Sequence, residues 1–378
     1  MPTEQKEKRM ADYKKKEAKE WAKEKFKGLE NVLTPSFKEC TPEELLSQTG
    51  IPKLGQKAMG GFFPKGALYG LDEKGIRHDV EKCIEHGFFS TTVSLEFVSL
   101  MNQDMVIRPY YRMVKEAAQG RILLDAYICN STLDETLHNI RIAEEEGMDC
   151  IMLALPPYFY PENEDDVFNY VKRICDSTEL GVIFYPSHKY NYQRFHPSRF
   201  SPNLVDRIAG ISNVVAMKLG VADIAHNLEC INRSGHKTLL NSPVIDWWPL
   251  FAGEFDMQWA GSAPYEYLQT PEDRRLVSHF ELLRQGEKKE AMELYWEMTP
   301  ARNTFNKFVM PMVEEGNYNI MHWKYLGWLG GMNGGTVPLS TGRLYEHQKE
   351  EYRKGLTASG INLDNNEKSF YTGRVNLT

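Results

Sequence analysis

The chain has 378 residues, enough for one large domain or two of average size, with 42% hydrophobic and 26% charged residues, the balance of a globular protein with a sizeable core. A net charge of −7 and a pI near 5.9 provide no basic field, which argues against a nucleic-acid partner. The longest apolar runs are of strand length, too short to span a bilayer, and no apolar signal core stands at the N-terminus, so no membrane association and a cytoplasmic location are expected.

Residues 1–28 are rich in Lys and Glu and read as a charged helical arm, which Trp21 and Phe26 would dock on the body. From Asn31 the pattern becomes short apolar strands alternating with amphipathic helices. The predicted strands are Asn31–Thr34, Phe88–Thr92, Arg121–Ile128, Cys150–Leu155, Gly181–Tyr185, Val214–Lys218, Thr238–Asn241 and Gln258–Gly261. Helices are expected at Lys74–Glu85, Val106–Ala118, Thr132–Glu146, Glu164–Asp176, Pro202–Ala209 and Ala222–Arg233. This spacing demands parallel strands with right-handed crossovers, and eight strands close most economically as an α/β (β/α)8 TIM barrel over residues 29–269. A doubly wound open sheet is the runner-up, without a GxGxxG after the first strand to support it. Residues 38–70, with Gly60-Gly61 and Pro64, read as an irregular excursion near the barrel mouth. Residues 270–378 read as a barrel-closing and C-terminal helical appendage, with helices at Arg274–Arg284, Lys288–Met298 and Leu344–Leu356 and roughly the last ten residues frayed.

The six cysteines are scattered without a CxxC pair, and the ten histidines show no HxxxH or HxH spacing. Reduced thiols, no metal and no cofactor are expected. Barrel chemistry sits at the C-terminal ends of strands. There Lys218 closes the run Val214-Val215-Ala216-Met217, and Tyr185 ends Gly181-Val182-Ile183-Phe184. A lysine desolvated at such a place can act as an amine nucleophile, and a phenol beside it can shuttle protons. On spacing alone a solvated strand end or an ion-pair partner explains Lys218 better, and a core cap explains Tyr185 equally well. Ser90-Thr91-Thr92 offers hydroxyls suited to a carboxylate or a proton relay, and Pro156-Pro157-Tyr158-Phe159-Tyr160-Pro161 makes a rigid aromatic loop.

Together these pieces resemble the dihydrodipicolinate synthase / N-acetylneuraminate lyase superfamily, the class I pyruvate-dependent aldolases, from about Gly28 to Ile361. Leu33-Thr34-Pro35-Ser36-Phe37 is similar to the family's V-T-P-F, and Leu71-Asp72-Glu73-Lys74-Gly75 to L-D-E-E-G. Ser90-Thr91-Thr92 stands at G-T-T-G-E, Leu155-Pro156-Pro157-Tyr158 at V-P-P-Y-Y, and Phe184-Tyr185-Pro186-Ser187 at Y-N-x-P. Ala216-Met217-Lys218 stands at the G-I-K strand that bears the imine lysine. Gly261-Ser262-Ala263-Pro264 and Lys324-Tyr325-Leu326-Gly327 match later segments. The resemblance implies that Lys218 forms an imine with a 2-oxo acid, that Tyr185 is the general acid/base, and that Thr91 and Thr92 hold the carboxylate or relay protons.

It further implies a homo-oligomer, a dimer or tetramer. The departures are informative. Ser90 replaces the glycine, Glu96 stands two places late, and Phe159 occupies the position of the tyrosine that synthases donate across a subunit interface. Tyr190 falls where synthases carry an arginine, with His188 and Lys189 just before it as candidate second-substrate contacts. These losses argue against lysine biosynthesis. Tyr158, Phe159, Tyr160, Trp247, Trp248 and Trp259 near strand ends point instead to an apolar or aromatic aldehyde, as in hydratase-aldolases. The expected activity is a carbon–carbon lyase joining or separating pyruvate and an aldehyde. A 2-oxo-hydroxy-acid dehydratase using the same imine and a catalytically silent barrel serving as a binding or regulatory module are the alternatives.

Overall fold

The structure, a computed structural model, describes residues 17–49, 68–94, 103–156, 159–186, 200–220, 223–262, 264–315, 320–335, 344–363 and 366–377. Its strands are β1 (Gly28–Leu33), β2 (Phe37–Cys40), β3 (Leu68–Leu71), β4 (Ser90–Val93), β5 (Leu123–Ile128), β6 (Cys150–Leu153), β7 (Gly181–Phe184), β8 (Val214–Lys218), β9 (Leu239–Asn241) and β10 (Trp259–Gly261). Among the described residues, eight of them form one parallel sheet in the order β10-β1-β4-β5-β6-β7-β8-β9. With β9 lying against β10, the sheet curls into a nearly closed (β/α)8 barrel. Every strand expected from the sequence falls on one of these eight. No helix among the described residues is long and apolar enough to cross a membrane.

Why the strands are apolar on both faces follows from the closure. Leu124, Ile151, Val182, Phe184, Met217 and Leu240 point outward into the helix layer, while Met152, Ile183 and Ala216 fill the interior. Between the strands run the helices Glu73–Glu85, Gln103–Ala118, Leu133–Glu145, Glu164–Asp176, Pro202–Ala209 and Ile224–Ser234. Their starts are set by side-chain caps: Thr132 with Glu135 in a reciprocal box, Asn163 on Asp166 N, Ser201 on Leu204 N with Pro202 in the first turn, and Asp223 on His226 N.

The N-terminal arm is part of the barrel. Residues 17–25 are helical, and Ala22 and Phe26 are fully buried at the N-terminal ends of the strands. The Phe26 ring meets Trp259 at 5.5 Å and Phe89 at 5.6 Å, closing the barrel floor. Lys19 Nζ donates to the carbonyls of Ala209 (2.8 Å) and Lys237 (3.0 Å), and burial lowers its pKa to about 8. Phe26→Ala is therefore expected to cost about 3–5 kcal/mol of stability in denaturant unfolding. A cost within the range of a surface substitution, about 0.5 kcal/mol or less, would show that the floor does not depend on this ring.

Two expectations are corrected. The excursion after β1 contains regular structure: β2 and β3 pair antiparallel, and the helix Pro42–Thr49 packs on β3. Gln48 fixes that contact by donating from Nε2 to Leu71 O (2.8 Å) and accepting from Leu71 N (3.0 Å). The C-terminal tail is docked rather than frayed. Phe370 is buried against Tyr325 and Trp328, Arg374 Nη2 donates to Trp328 O (2.8 Å), and Asn376 Nδ2 donates to Asp72 Oδ2 (2.7 Å).

Candidate active site

β8 is buried along its whole length, because Val214 to Met217 pack inside the sheet, and this carries Lys218 into the barrel with only 5% exposure. Nζ of Lys218 lies 4.9 Å from the centroid of the Tyr185 ring, so the amine faces the π-cloud. Among the described residues Nζ makes no hydrogen bond or ion pair. Tyr185 is fixed just past β7 by the hydrogen bond its backbone N–H donates to Leu153 O (2.9 Å), and its ring lies hard against the backbone of Gly220. A Cβ at Gly220 would stand 2.6 Å from Tyr185 Cε2, so only glycine lets the ring sit there. The two residues singled out from the sequence are thus brought together.

Inside the barrel below them lies a feature that the sequence reading missed. Glu30 on β1 and Asp125 on β5 are both fully buried on the inner face, coupled to each other across the intervening β4. Thr92 Oγ1 donates to Glu30 Oε1 (3.1 Å) and Ser90 Oγ to Asp125 Oδ1 (3.3 Å). Gly261 makes the space: a Cβ there would stand 2.4 Å from Glu30 Oε1. Burial holds Glu30 well above the ordinary carboxyl pKa, the Asp125 charge adds to this, and Lys218 opposes it. Burial likewise raises Asp125, to about 6, against the hydrogen bonds and the Lys218 charge that favour its anion.

A carboxyl raised in this way binds its proton more tightly in the folded state. Its folded pKa exceeds the unfolded one, so stability is highest below the unfolded value and falls as pH rises from about 4 to about 6. Asp125→Asn is expected to gain stability relative to the parent across that interval, by about 2–3 kcal/mol in paired unfolding curves. A difference that does not change with pH would contradict the placement of a titrating carboxyl there.

The remaining expected residues separate. Ser90 and Thr92 share the inner face, but Thr91 points the other way, to the Asn31 carbonyl (3.5 Å) and to Cys83 on the helix Glu73–Glu85. Side chains alternate along a strand, so three consecutive hydroxyls cannot serve one site, and Thr91 does not offer its side chain to a substrate beside Lys218. Phe159 stacks on Tyr170 at 4.9 Å in the helix layer, and Tyr160 is exposed, so neither reaches the barrel interior. The expected aromatic cluster is also dispersed: Trp248 packs on Tyr265 and Phe280, Trp247 on Phe251, and Trp259 lies on the barrel floor. Tyr158, His188 and Lys189 lie outside the described residues, as do Glu96 and Tyr190. Among the described residues no group of His, Cys, Asp and Glu is arranged to hold a metal.

A second buried charged group lies outside the sheet. Lys324, lowered by burial to about 8, donates to Pro35 O (3.1 Å), and with Asp79 and Glu266 it lines a small cavity where the helix Ile320–Leu329 meets the end of β1. Asp79 accepts from the Asn333 amide and from Ser36 Oγ (3.1 Å), so the cluster ties the C-terminal helices to the barrel.

A model of the dihydrodipicolinate synthetase family matches residues 69–242, the segment that carries β3 through β9 with Tyr185 and Lys218. That segment is somewhat less than half of the chain, and over it the chain is similar to this family. Its divergence is plain in the relatives. A probable 5-dehydro-4-deoxyglucarate dehydratase of Bacillus licheniformis is 27% identical over 164 residues, 42% of this chain and 48% of that protein. The 4-hydroxy-tetrahydrodipicolinate synthase of Nitrosococcus oceani is 28% identical over 184 residues, 47% of this chain and 59% of that one. The chain thus spans about half the length of the curated relatives it matches. In structure the likeness runs further. The crystal structure of dihydrodipicolinate synthase from Oceanobacillus iheyensis superposes with a TM-score of 0.69 at 15% identity, covering 91% of this chain and 100% of that one, which establishes the fold.

Proposed function

We propose that the protein is a Schiff-base-forming lyase acting on a 2-oxo acid. The observation that carries this reading is the Lys218 amine, buried at the C-terminal end of β8, without a hydrogen-bond partner among the described residues and set against the Tyr185 ring. The amine attacks the 2-oxo carbonyl, and loss of water gives an iminium. Electrons drawn into that iminium allow C3 to lose a proton, or the C3–C4 bond to break with release of an aldehyde. Hydrolysis of the resulting enamine returns the 2-oxo acid. Tyr185 moves protons at the carbinolamine and the aldol oxygen. Because the protein's own amine is the electron sink, the reaction runs without a metal or cofactor. His188 and Lys189, which follow Tyr185 closely in sequence, are the proposed contacts of the substrate's second half. A homodimer or homotetramer is the expected assembly and is read directly by sedimentation.

Dehydration of a hydroxylated 2-oxo acid is the second reading. The buried carboxyl pair beneath the lysine favours it, since a departing hydroxide needs a proton. Product analysis separates the two: the aldolase yields a 2-oxo acid and an aldehyde, the dehydratase a single product lighter by one water.

Enamine formation is testable without knowing the natural substrate. Pyruvate incubated with the protein in D₂O is expected to lose its methyl proton signal by NMR, and not to do so with Lys218→Ala. Absence of exchange with pyruvate and with other 2-oxo acids bearing C3 protons would leave a silent barrel acting as a binding or regulatory module.

A further inference from the structure

We propose that Glu30 and Asp125 are the proton store of Lys218: the pair accepts the ammonium proton that must leave before the amine can attack, and returns it to the carbinolamine hydroxyl, which departs as water. The inference rests on the imine chemistry proposed above. Its basis is the enclosed polar interior around the lysine. Glu30 Oε2, Asp125 Oδ2, both side-chain atoms of Asn241 and Trp259 Nε1 are buried without a hydrogen-bond partner. All lie on inner-face positions: Asn241 is paired in register with Lys218, and Trp259 lies beside Glu30 across the gap left by Gly261. Buried polar atoms are rarely left unpaired, and several inside one barrel, between its floor and Lys218, mark a space built for a polar guest, water or a substrate oxygen.

The charges close without a deficit. The pair holding one proton carries a single negative charge, which balances the Lys218 ammonium. Moving the second proton across gives two neutral carboxyls and a neutral amine. The amine adds to the carbonyl carbon, the C–O bond breaks as the returned proton makes water, and an iminium faces the singly charged pair. Apart from the carboxylate that the 2-oxo acid itself brings, the lysine and the pair sum to zero at each of these stages, so the exchange adds no uncompensated charge. The other titratable groups facing the pair stay out of the exchange. Cys150 on β6, Tyr111 on the helix Gln103–Ala118 and Tyr265 after β10 are each held protonated by burial, reinforced by these carboxylates.

The test separates the charge of Lys218 from its chemistry. In the wild type, Glu30→Gln, Asp125→Asn and the double variant, Lys218 is methylated by formaldehyde with cyanoborohydride over a pH series, and its peptide is quantified by mass spectrometry. The rate of borohydride trapping with pyruvate is measured alongside. A single substitution leaves one carboxylate to balance the ammonium, whereas the double variant removes the counter-charge, so methylation of the double variant near neutrality is expected to rise about tenfold or more. Imine trapping is expected to fall about 10²-fold, because the proton acceptor and donor is gone. Unfolding would itself expose the lysine and raise methylation, so each variant is first matched to the wild type by circular dichroism; in variants that match, two rates falling together would overturn the proposal. Unchanged methylation in the double variant of a wild type that traps pyruvate would also overturn it, leaving the lyase reading intact. A wild type that shows the methylation contrast but traps no 2-oxo acid would overturn the lyase reading and the proton-return step, and would leave the charge coupling standing.

Discussion

Lys218→Ala is expected to lower turnover of the 2-oxo acid substrate by on the order of 10⁴–10⁶-fold, the loss seen when a covalent nucleophile is removed. The magnitude follows from the absence of a substitute. Among the described residues Lys19 is tied to two carbonyls at the opposite end of the barrel, and Lys324 lies outside the sheet, bonded to Pro35 O. Lys218→Arg distinguishes the amine from its charge. It keeps a cation above the Glu30–Asp125 pair, yet a guanidinium stays protonated and does not form the imine. Equal inactivity of the two variants, with the fold of the arginine form intact, assigns the loss to nucleophilicity. Activity of the alanine variant within about tenfold of the parent, by product assay, would show that the reaction does not pass through this residue.

Tyr185→Phe is expected to reduce kcat about 10²–10⁴-fold, with a much smaller effect on KM. The substitution is informative because it removes only the hydroxyl. The ring that faces the Lys218 amine and rests on Gly220 is retained, so the packing and the contact with the amine persist. A proton-transfer role therefore shows as a kcat loss and a flattened pH profile, whereas a capping role shows as neither. Tyr185→Ala tests the ring separately, by opening space beside Gly220 and freeing the lysine side chain.

The barrel was legible because closure makes each strand apolar on both faces and separates the strands by amphipathic helices of recognisable length, as with Glu164–Asp176 and Pro202–Ala209. Lys218 and Tyr185 were legible for a related reason: each is the first polar group at the end of such a run. Thr91 was misread although the information was present, since alternation along β4 puts Ser90 and Thr92 on one face and Thr91 on the other. Glu30 and Asp125 left a visible trace as charges inside apolar runs, in Leu29-Glu30-Asn31-Val32-Leu33 and Leu123-Leu124-Asp125-Ala126. Their pairing was out of reach, because it depends on the register of β1 and β5 on β4 and on the space at Gly261. The tryptophans were misplaced because an aromatic near a strand end serves equally well in the helix layer, as Trp248 does, or on the barrel floor, as Trp259 does. The β2–β3 pair escaped notice because its strands are short and far apart in sequence, without the tight turn that announces a hairpin.

The most direct measurement is borohydride reduction of the protein in the presence of pyruvate, followed by mass spectrometry of the peptide that contains Lys218. A reduced pyruvyl adduct on Lys218, absent without pyruvate and absent from Lys218→Ala, is the predicted result. No adduct with pyruvate or with any of a panel of 2-oxo acids, or an adduct carried by a different lysine, would contradict it.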